Sequence, residues 1–341
     1  MAFSKLAGTI LVLVVAAALL PACTARPGAN QESRATGAGH AGQFSPRVNE
    51  LLAAMSQDEK LGQLVQAAGG RSKSLNSRLT PQELDRVRAG AVGSYLHVAG
   101  AEPLAELQRV AVEESRHGIP LLFAMDVVHG YRTLFPVPIA MASTWDPDVW
   151  KSAARVSAEE ATASGLHWTF APMVDIARDG RWGRVVEGAG ADPYLASAMA
   201  AAQVRGYQGE DLSARNTMLA ATKHFGAYGA ALGGRDYGAA DISERGLHEI
   251  YLPPFFAALE AGTGSYMTAF NDVAGVPTTG NEALVDGVLR DQWGFDGMIV
   301  SDWNAVAELM NHGVAATRAD AGALALRAGV DMDMNSGIFG N

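Results

Sequence analysis

The chain has 341 residues, 18% of them charged, a net charge of −10 and a single cysteine. An acidic balance without any Lys/Arg block argues against nucleic acid as a partner, and one cysteine excludes an intramolecular disulfide or a cysteine metal cluster. Beyond an atypical N-terminus roughly 300 residues of globular composition remain, enough for one large domain.

Lys5 supplies a small positive n-region, and Leu6 to Leu20 is almost wholly apolar. That run is short for a membrane span and suits a secretory signal. Leu20-Pro21-Ala22-Cys23 resembles a bacterial lipobox, in which Cys23 becomes the lipidated first residue and tethers the protein to a membrane. The alternative is a plain cleaved signal, giving export without an anchor. Residues 1–23 are therefore read as an export signal, for a periplasmic, membrane-anchored or secreted protein. Residues 24–43 contain no Val, Ile, Leu, Met or aromatic residue and read as a flexible linker.

From residue 44 the sequence is globular. Val48, Leu51, Leu52 and Met55 recur at helical spacing behind Ser45-Pro46, and Ser56 with Glu59 three residues on is a capping box. Strands are expected at 91–98, 121–127, 168–174, 218–225, 266–270, 298–300 and 329–334. Helices are expected at 102–116, 147–164, 193–207, 244–259 and 316–327. Such alternation indicates a parallel α/β domain, and a (β/α)8-type TIM-like barrel fits its length, with a doubly wound open sheet as the alternative. No Gly-x-Gly-x-x-Gly follows a strand with an acidic residue downstream, so nothing favours a dinucleotide, and no cofactor is expected.

In a barrel, chemistry gathers at the carboxyl ends of the strands. There the sequence places Asp126 and His129, then Asp175 ahead of Arg178-Asp179-Gly180-Arg181-Trp182-Gly183-Arg184. Lys223-His224, Met267 and Asn271 follow on the next strands, and Met298–Val300 runs into Ser301-Asp302-Trp303. Asp302 alone reads equally well as the N-cap of the next helix. Polar groups at five strand ends on one rim are better explained by a ligand. Asp126, Arg184, Lys223 and His224 offer directional hydrogen bonds of the kind a hexose needs, and Trp182 and Trp303 offer apolar faces for a sugar ring. Arg and Lys near Asp302 are expected to keep it ionised, as a nucleophile requires. A phosphate site would want a Gly-rich loop opening a helix. A metal site would want ligand spacing that Asp331, Asp333 and His129 do not supply.

Four stretches carry a family resemblance. They are Arg181-Trp182-Gly183-Arg184-x-x-Glu187-Gly188, Asp192-Pro193-Tyr194, Lys223-His224-Phe225-Gly226-Ala227-Tyr228-Gly229 and Gly294-Phe295-Asp296-Gly297-x-x-x-Ser301-Asp302-Trp303. Together they resemble the family 3 glycoside hydrolases, in particular the bacterial periplasmic or secreted β-glucosidases, and the match runs from about Met55 to Met334. The resemblance implies an exo-acting, retaining β-glucosidase acting on β-linked oligosaccharides or glucosides. Asp302 is then the nucleophile. Asp126, Arg184, Lys223 and His224 hold the glycone, Trp303 borders the aglycone, and Arg181 and Met267 are weaker pocket assignments.

A retaining mechanism needs a second carboxyl group about 5–5.5 Å from the first. In the β-glucosidase branch that Glu lies in an α/β sandwich domain, which is expected to be missing here, so the barrel is read as an N-terminal domain incomplete at its C-terminus. The N-acetylhexosaminidase branch uses a His on the loop after Lys-His, and the loop Gly226 to Tyr237 has none. Glu187 and Asp236 are carboxyls near the rim with no reason for promotion to acid catalyst. The alternatives are a non-catalytic sugar-binding lipoprotein, a β-xylosidase or β-N-acetylhexosaminidase of the same family, and a barrel aldolase using Lys223 as a Schiff base.

Overall fold

The computed structural model describes residues 45–69 and 77–340; the signal-like segment, Cys23 and the linker lie outside the described residues. The chain divides into two units, Met1–Asn49 and Glu50–Asn341, and the second carries everything below.

Eight parallel strands make one sheet: β1 (Val65–Ala68), β2 (Ser94–Leu96), β3 (Leu122–Met125), β4 (Trp168–Thr169), β5 (Leu219–Phe225), β6 (Ser265–Thr268), β7 (Met298–Val300) and β8 (Asp333–Met334). Each lies beside its neighbour in the chain, and β8 returns to pair with β1 through Val65↔Asp333 and Gln66↔Met334. An order without reversal is that of a barrel and excludes the doubly wound alternative. The remaining seam, between β7 and β8, is held by the bridge Val300↔Met332, where the Ser301 N–H donates to the Met332 carbonyl at 2.9 Å.

All seven expected strands are found, mostly shorter than expected, and β1 is an addition. β4 stops early because Pro172 has no N–H for the ladder; its carbonyl still accepts from the Lys223 N–H at 2.9 Å, and Met173 rejoins the sheet opposite Lys223. Towards the end of the described residues Val330 and Met332 are covered by their neighbours. Both are buried, at 2% and 5% exposure, Val330 in one cluster with Ile338 and Phe339 and Met332 inside the barrel.

Helices cover the outside. Pro147–Thr162 and Pro193–Gln208 each start with Pro behind an Asp N-cap, and Asp192 accepts from the Leu195 N–H at 2.7 Å. The Asp192-Pro193-Tyr194 motif is thus a helix start. Between strands and helices lies the main core, with Leu107, Phe123, Trp150, Met199, Tyr207 and Phe255 almost fully buried. A second cluster fills the barrel itself: Leu96, Ala124, Trp168, Phe170, Ala221, Met267, Val300, Met332 and Met334. Trp168 is its largest member. Its indole N–H donates to Ser265 Oγ at 2.8 Å, and its ring meets Phe170 edge-on at 5.0 Å.

Trp168 therefore combines full burial, a hydrogen bond and an aromatic contact beneath the rim. Trp168→Ala is expected to destabilise the domain by about 3–5 kcal/mol, with Trp168→Phe costing less, as read by the shift in denaturant midpoint. A loss under about 1 kcal/mol would show that the barrel interior is not closely packed.

Candidate active site

The carboxyl ends of the strands bring together residues far apart in sequence. β3 leads into Asp126, β5 carries Lys223 and His224, and β7 runs into Asp302 and Trp303. Neighbouring strand residues normally point to opposite faces. Here the β5–β6 register shifts between Thr222 and Phe225, and both Lys223 and His224 reach rim partners. Their peptide bond is cis. The chain then leaves the strand at Gly226, with φ +126°, where an added Cβ would lie 2.4 Å from Thr278 Oγ1, so only glycine fits.

Two hydrogen-bonded groups result. In the first, Lys223 Nζ donates to Asp126 Oδ1 at 2.6 Å, and His97 Nε2 lies 3.1 Å from Asp126 Oδ2. In the second, Asp175 Oδ2 takes both the His224 N–H at 2.9 Å and the His224 Nδ1–H at 2.8 Å. With Nδ1 donating, His224 Nε2 is left as an acceptor, and Arg184 donates to it at 3.0 Å. Arg184 is forked onto Glu187 at 2.6 and 2.9 Å. Asp302 lies between the groups: Oδ1 accepts from the Trp303 N–H at 2.6 Å, while buried Oδ2, 3.4 Å from His224 Nε2, has no hydrogen-bond partner among the described residues.

The electrostatics follow from this wiring. Burial would raise the Asp126 carboxyl, but Lys223 and His97 overcome it and hold it well below the usual carboxylate range. Burial, then the charges of Arg184 and Lys223, push His224 well below the ordinary histidine value, so it is neutral. Asp302 is the opposite case. Burial raises it to about 7, outweighing Lys223, the Trp303 N–H and Arg184. Lys223 and Arg184 do favour its ionised form, as expected, but burial outweighs them, and His224 Nε2 has no proton to give to Oδ2. Asp175 is likewise raised to about 7 by burial.

Other expected residues divide. Met267 lies on β6 in the barrel floor, 2% exposed. Trp303 is partly buried, its ring stacked on His97 with centroids 6.5 Å apart and planes 28° apart. Asp302 is not a helix cap; the helix Ala305–Asn311 has Asn304 in that position. Trp182 is 1% exposed, so its faces are packed rather than offered to a ring, and its N–H donates to Asp236 at 2.9 Å. The Arg181 guanidinium is paired with Asp179 and its side chain is 74% exposed, outside the hydrogen-bonded set. Beside Asp126 opens a cavity of about 360 Å³ lined also by His129, Leu134, Val137, Val186 and Glu187.

Sequence reasoning gave no role to His97, Asp175 or Tyr228, whose ring meets His224 edge-on at 5.2 Å and lies 5.5 Å from the Arg184 guanidinium carbon. A signal for His97 and Asp175 was available: each is a polar residue at the carboxyl end of an expected strand.

An eight-stranded parallel barrel with a desolvated carboxylate, a cation–carboxylate pair and a fixed imidazole at the strand ends has the site plan of a barrel glycosidase. The chain belongs to glycosyl hydrolase family 3: the model of that family's N terminal domain matches residues 56–337. It is 43% identical over 289 residues to the periplasmic beta-glucosidase of Salmonella typhimurium, covering 84% of this chain and 37% of that protein. It is 42% identical over 247 residues to a beta-xylosidase of Formosa agariphila, covering 68% of this chain and 34% of the relative. The crystal structure of the beta-glucosidase from Listeria innocua superposes with a TM-score of 0.80 at 41% identity, over 87% of this chain and 42% of that one. That enzyme has also been solved with glucose and, as a mutant, with laminaribiose. The chain thus spans about two fifths of the length of these relatives.

The raised Asp302 value makes a stability prediction. An unfolded Asp titrates near 3.8, whereas folded Asp302 keeps its proton to about 7. Between these values the folded state binds more protons, so stability falls as pH rises through that window. Asp302→Asn removes this share. The variant should gain stability relative to wild type between pH 4 and pH 8, by roughly 2–4 kcal/mol, in denaturant melts at both pH values. A gap independent of pH would mean that Asp302 is solvated.

Proposed function

We propose that this chain carries the nucleophile and glycone pocket of an exo-acting, retaining β-glucosidase. The observation supporting this most directly is Asp302 Oδ2: a buried carboxyl oxygen with no donor among the described residues, beside a fixed, neutral imidazole. Binding alone gains nothing from such a group, since a desolvated anion without a donor costs stability. Attack on an anomeric carbon uses it, because the negative charge is consumed as the glycosyl-enzyme ester forms. Asp126, held by Lys223 and His97, and the Arg184–His224 pair are assigned to the sugar hydroxyls. Trp303 is assigned to the aglycone side. Arg181, paired at the surface, has no role in this scheme, and Met267 supports the floor.

Acid assistance is the missing part. Among the described residues Glu187 is occupied by Arg184 and Asp236 by Trp182. We assign the acid to a carboxyl outside the described residues, for which the longer relatives have ample chain. We further propose export of the protein, with Cys23 as a lipidated mature N-terminus. The periplasmic relative and the N-terminal composition support export. Among the described residues no helix is long and apolar enough to cross a membrane.

Two experiments test these readings. A 2-deoxy-2-fluoroglucosyl fluoride needs little acid assistance, so the 341-residue chain should gain one glycosyl mass on Asp302, and Asp302→Asn none. The same chain should cleave an activated aryl glucoside at least about 100-fold better than cellobiose; equal turnover would place an acid among residues assigned here to structure. Comparing aryl glucoside with aryl xyloside separates the two activities named among the relatives. For the anchor, palmitate should label the wild type and not Cys23→Ser, and an unlabelled protein starting beyond Cys23 would leave export without a tether.

A further inference from the structure

His97 lies one residue past β2, in a place where the sequence motifs assign nothing. Its backbone N–H donates to Ala124 on β3 at 3.0 Å, and its φ is +63°. That left-handed conformation is uncommon for a residue with a Cβ, although His is among those that enter it more often. The turn aims the imidazole along the rim. Nε2 meets Asp126 Oδ2 at 3.1 Å, and the ring lies against the Trp303 indole. His97 is therefore in contact with both Asp126 and Trp303, the residues placed on the two sides of the scissile bond.

We propose that His97 is a positioning residue that orients Asp126 for the glycone and Trp303 for the aglycone; this rests on the glycosidase reading above. Lys223 alone holds one oxygen of Asp126 and leaves the carboxylate free to turn about its Cβ–Cγ bond. A second donor on the other oxygen fixes its plane. Each carboxylate oxygen has two lone-pair directions, so one on each remains for sugar hydroxyls. The side chain of Asp126 is 40% exposed, which leaves those directions accessible. Fixing the plane beforehand removes an ordering cost from binding. The ring face acts separately. It braces Trp303, whose backbone N–H also holds Asp302 Oδ1 at 2.6 Å.

The two contacts can be separated by substitution. His97→Phe keeps a ring against Trp303 and removes the donor. His97→Asn keeps a donor, suits a left-handed backbone, and removes the ring. The probes are gluconolactone, which fills only the glycone site, and a non-hydrolysable aryl thioglucoside, which adds an aglycone. Calorimetry on the 341-residue chain should show His97→Phe binding gluconolactone about tenfold more weakly, with the aryl increment unchanged. His97→Asn should stay within about threefold of wild type for gluconolactone and lose most of the aryl increment. A merely structural role would lower both affinities together with the melting temperature and would show no such split. Wild-type affinity for gluconolactone in a folded His97→Phe overturns the proposal. If His97→Phe does not fold, an undiminished aryl increment in His97→Asn overturns it. A wild-type chain that binds neither probe and is not labelled at Asp302 sinks the glycosidase reading itself, and the role of His97 with it.

Discussion

One carboxylate oxygen sets the rim. Asp175 Oδ2 receives both the backbone N–H and the Nδ1–H of His224. The backbone bond holds the end of β5 against the chain that follows β4. The side-chain bond decides the tautomer, and everything around Asp302 follows from that. With its proton on Nδ1, the imidazole turns a lone pair toward the pocket. Arg184 fills one side of it, Glu187 holds Arg184, and Asp302 Oδ2 faces a ring nitrogen that cannot donate. Had the proton been on Nε2, Asp302 would be hydrogen-bonded and more acidic. Whether one carboxyl oxygen has a donor is thus fixed by another carboxyl that is itself fully buried.

The same wiring explains what the sequence discloses. A barrel of parallel strands buries both strand faces, so strands appear as apolar runs bounded by turns, and seven were legible on that basis. β1 was not. Val65-Gln66-Ala67-Ala68 holds one β-branched residue, follows a helix closely, and has a polar side chain at its centre. Gln66 is buried because its amide donates to Ser94 Oγ on β2 at 2.8 Å, a pairing between distant residues that no local pattern reveals. Asp126, Lys223, His224 and Asp302 were legible because a charged residue at the end of a buried strand has few structural uses. Trp182 was over-read: an indole beside two arginines looks like a sugar platform, yet Asp236, 54 residues on, takes its N–H and the ring goes inside. Ionisation was the least legible property. The cations near Asp302 do favour its charged form, but the water that the fold removes outweighs them.

The pair Lys223–Asp126 shows the other outcome of burial. Lys223 is 3% exposed, and its ammonium is matched by a carboxylate that still faces the opening. Desolvation is offset by a 2.6 Å contact. Two acids near the same lysine therefore end with opposite shifts. Asp126 is satisfied on both oxygens and holds its charge; Asp302 is satisfied on one and takes up a proton near pH 7.

The pairing of the first strand with the last has a kinetic side. β1 and β8 come from opposite ends of the domain, so Val65 meets Asp333 only after nearly the whole intervening chain has been ordered. Closing so long a loop is entropically costly until the other strands are in place. Along the rest of the sheet, by contrast, each strand meets the one just before it, and those pairings can form progressively along the chain. The ring can then shut only in a late step, and until it does, both edges of a seven-stranded parallel sheet stand open to other chains.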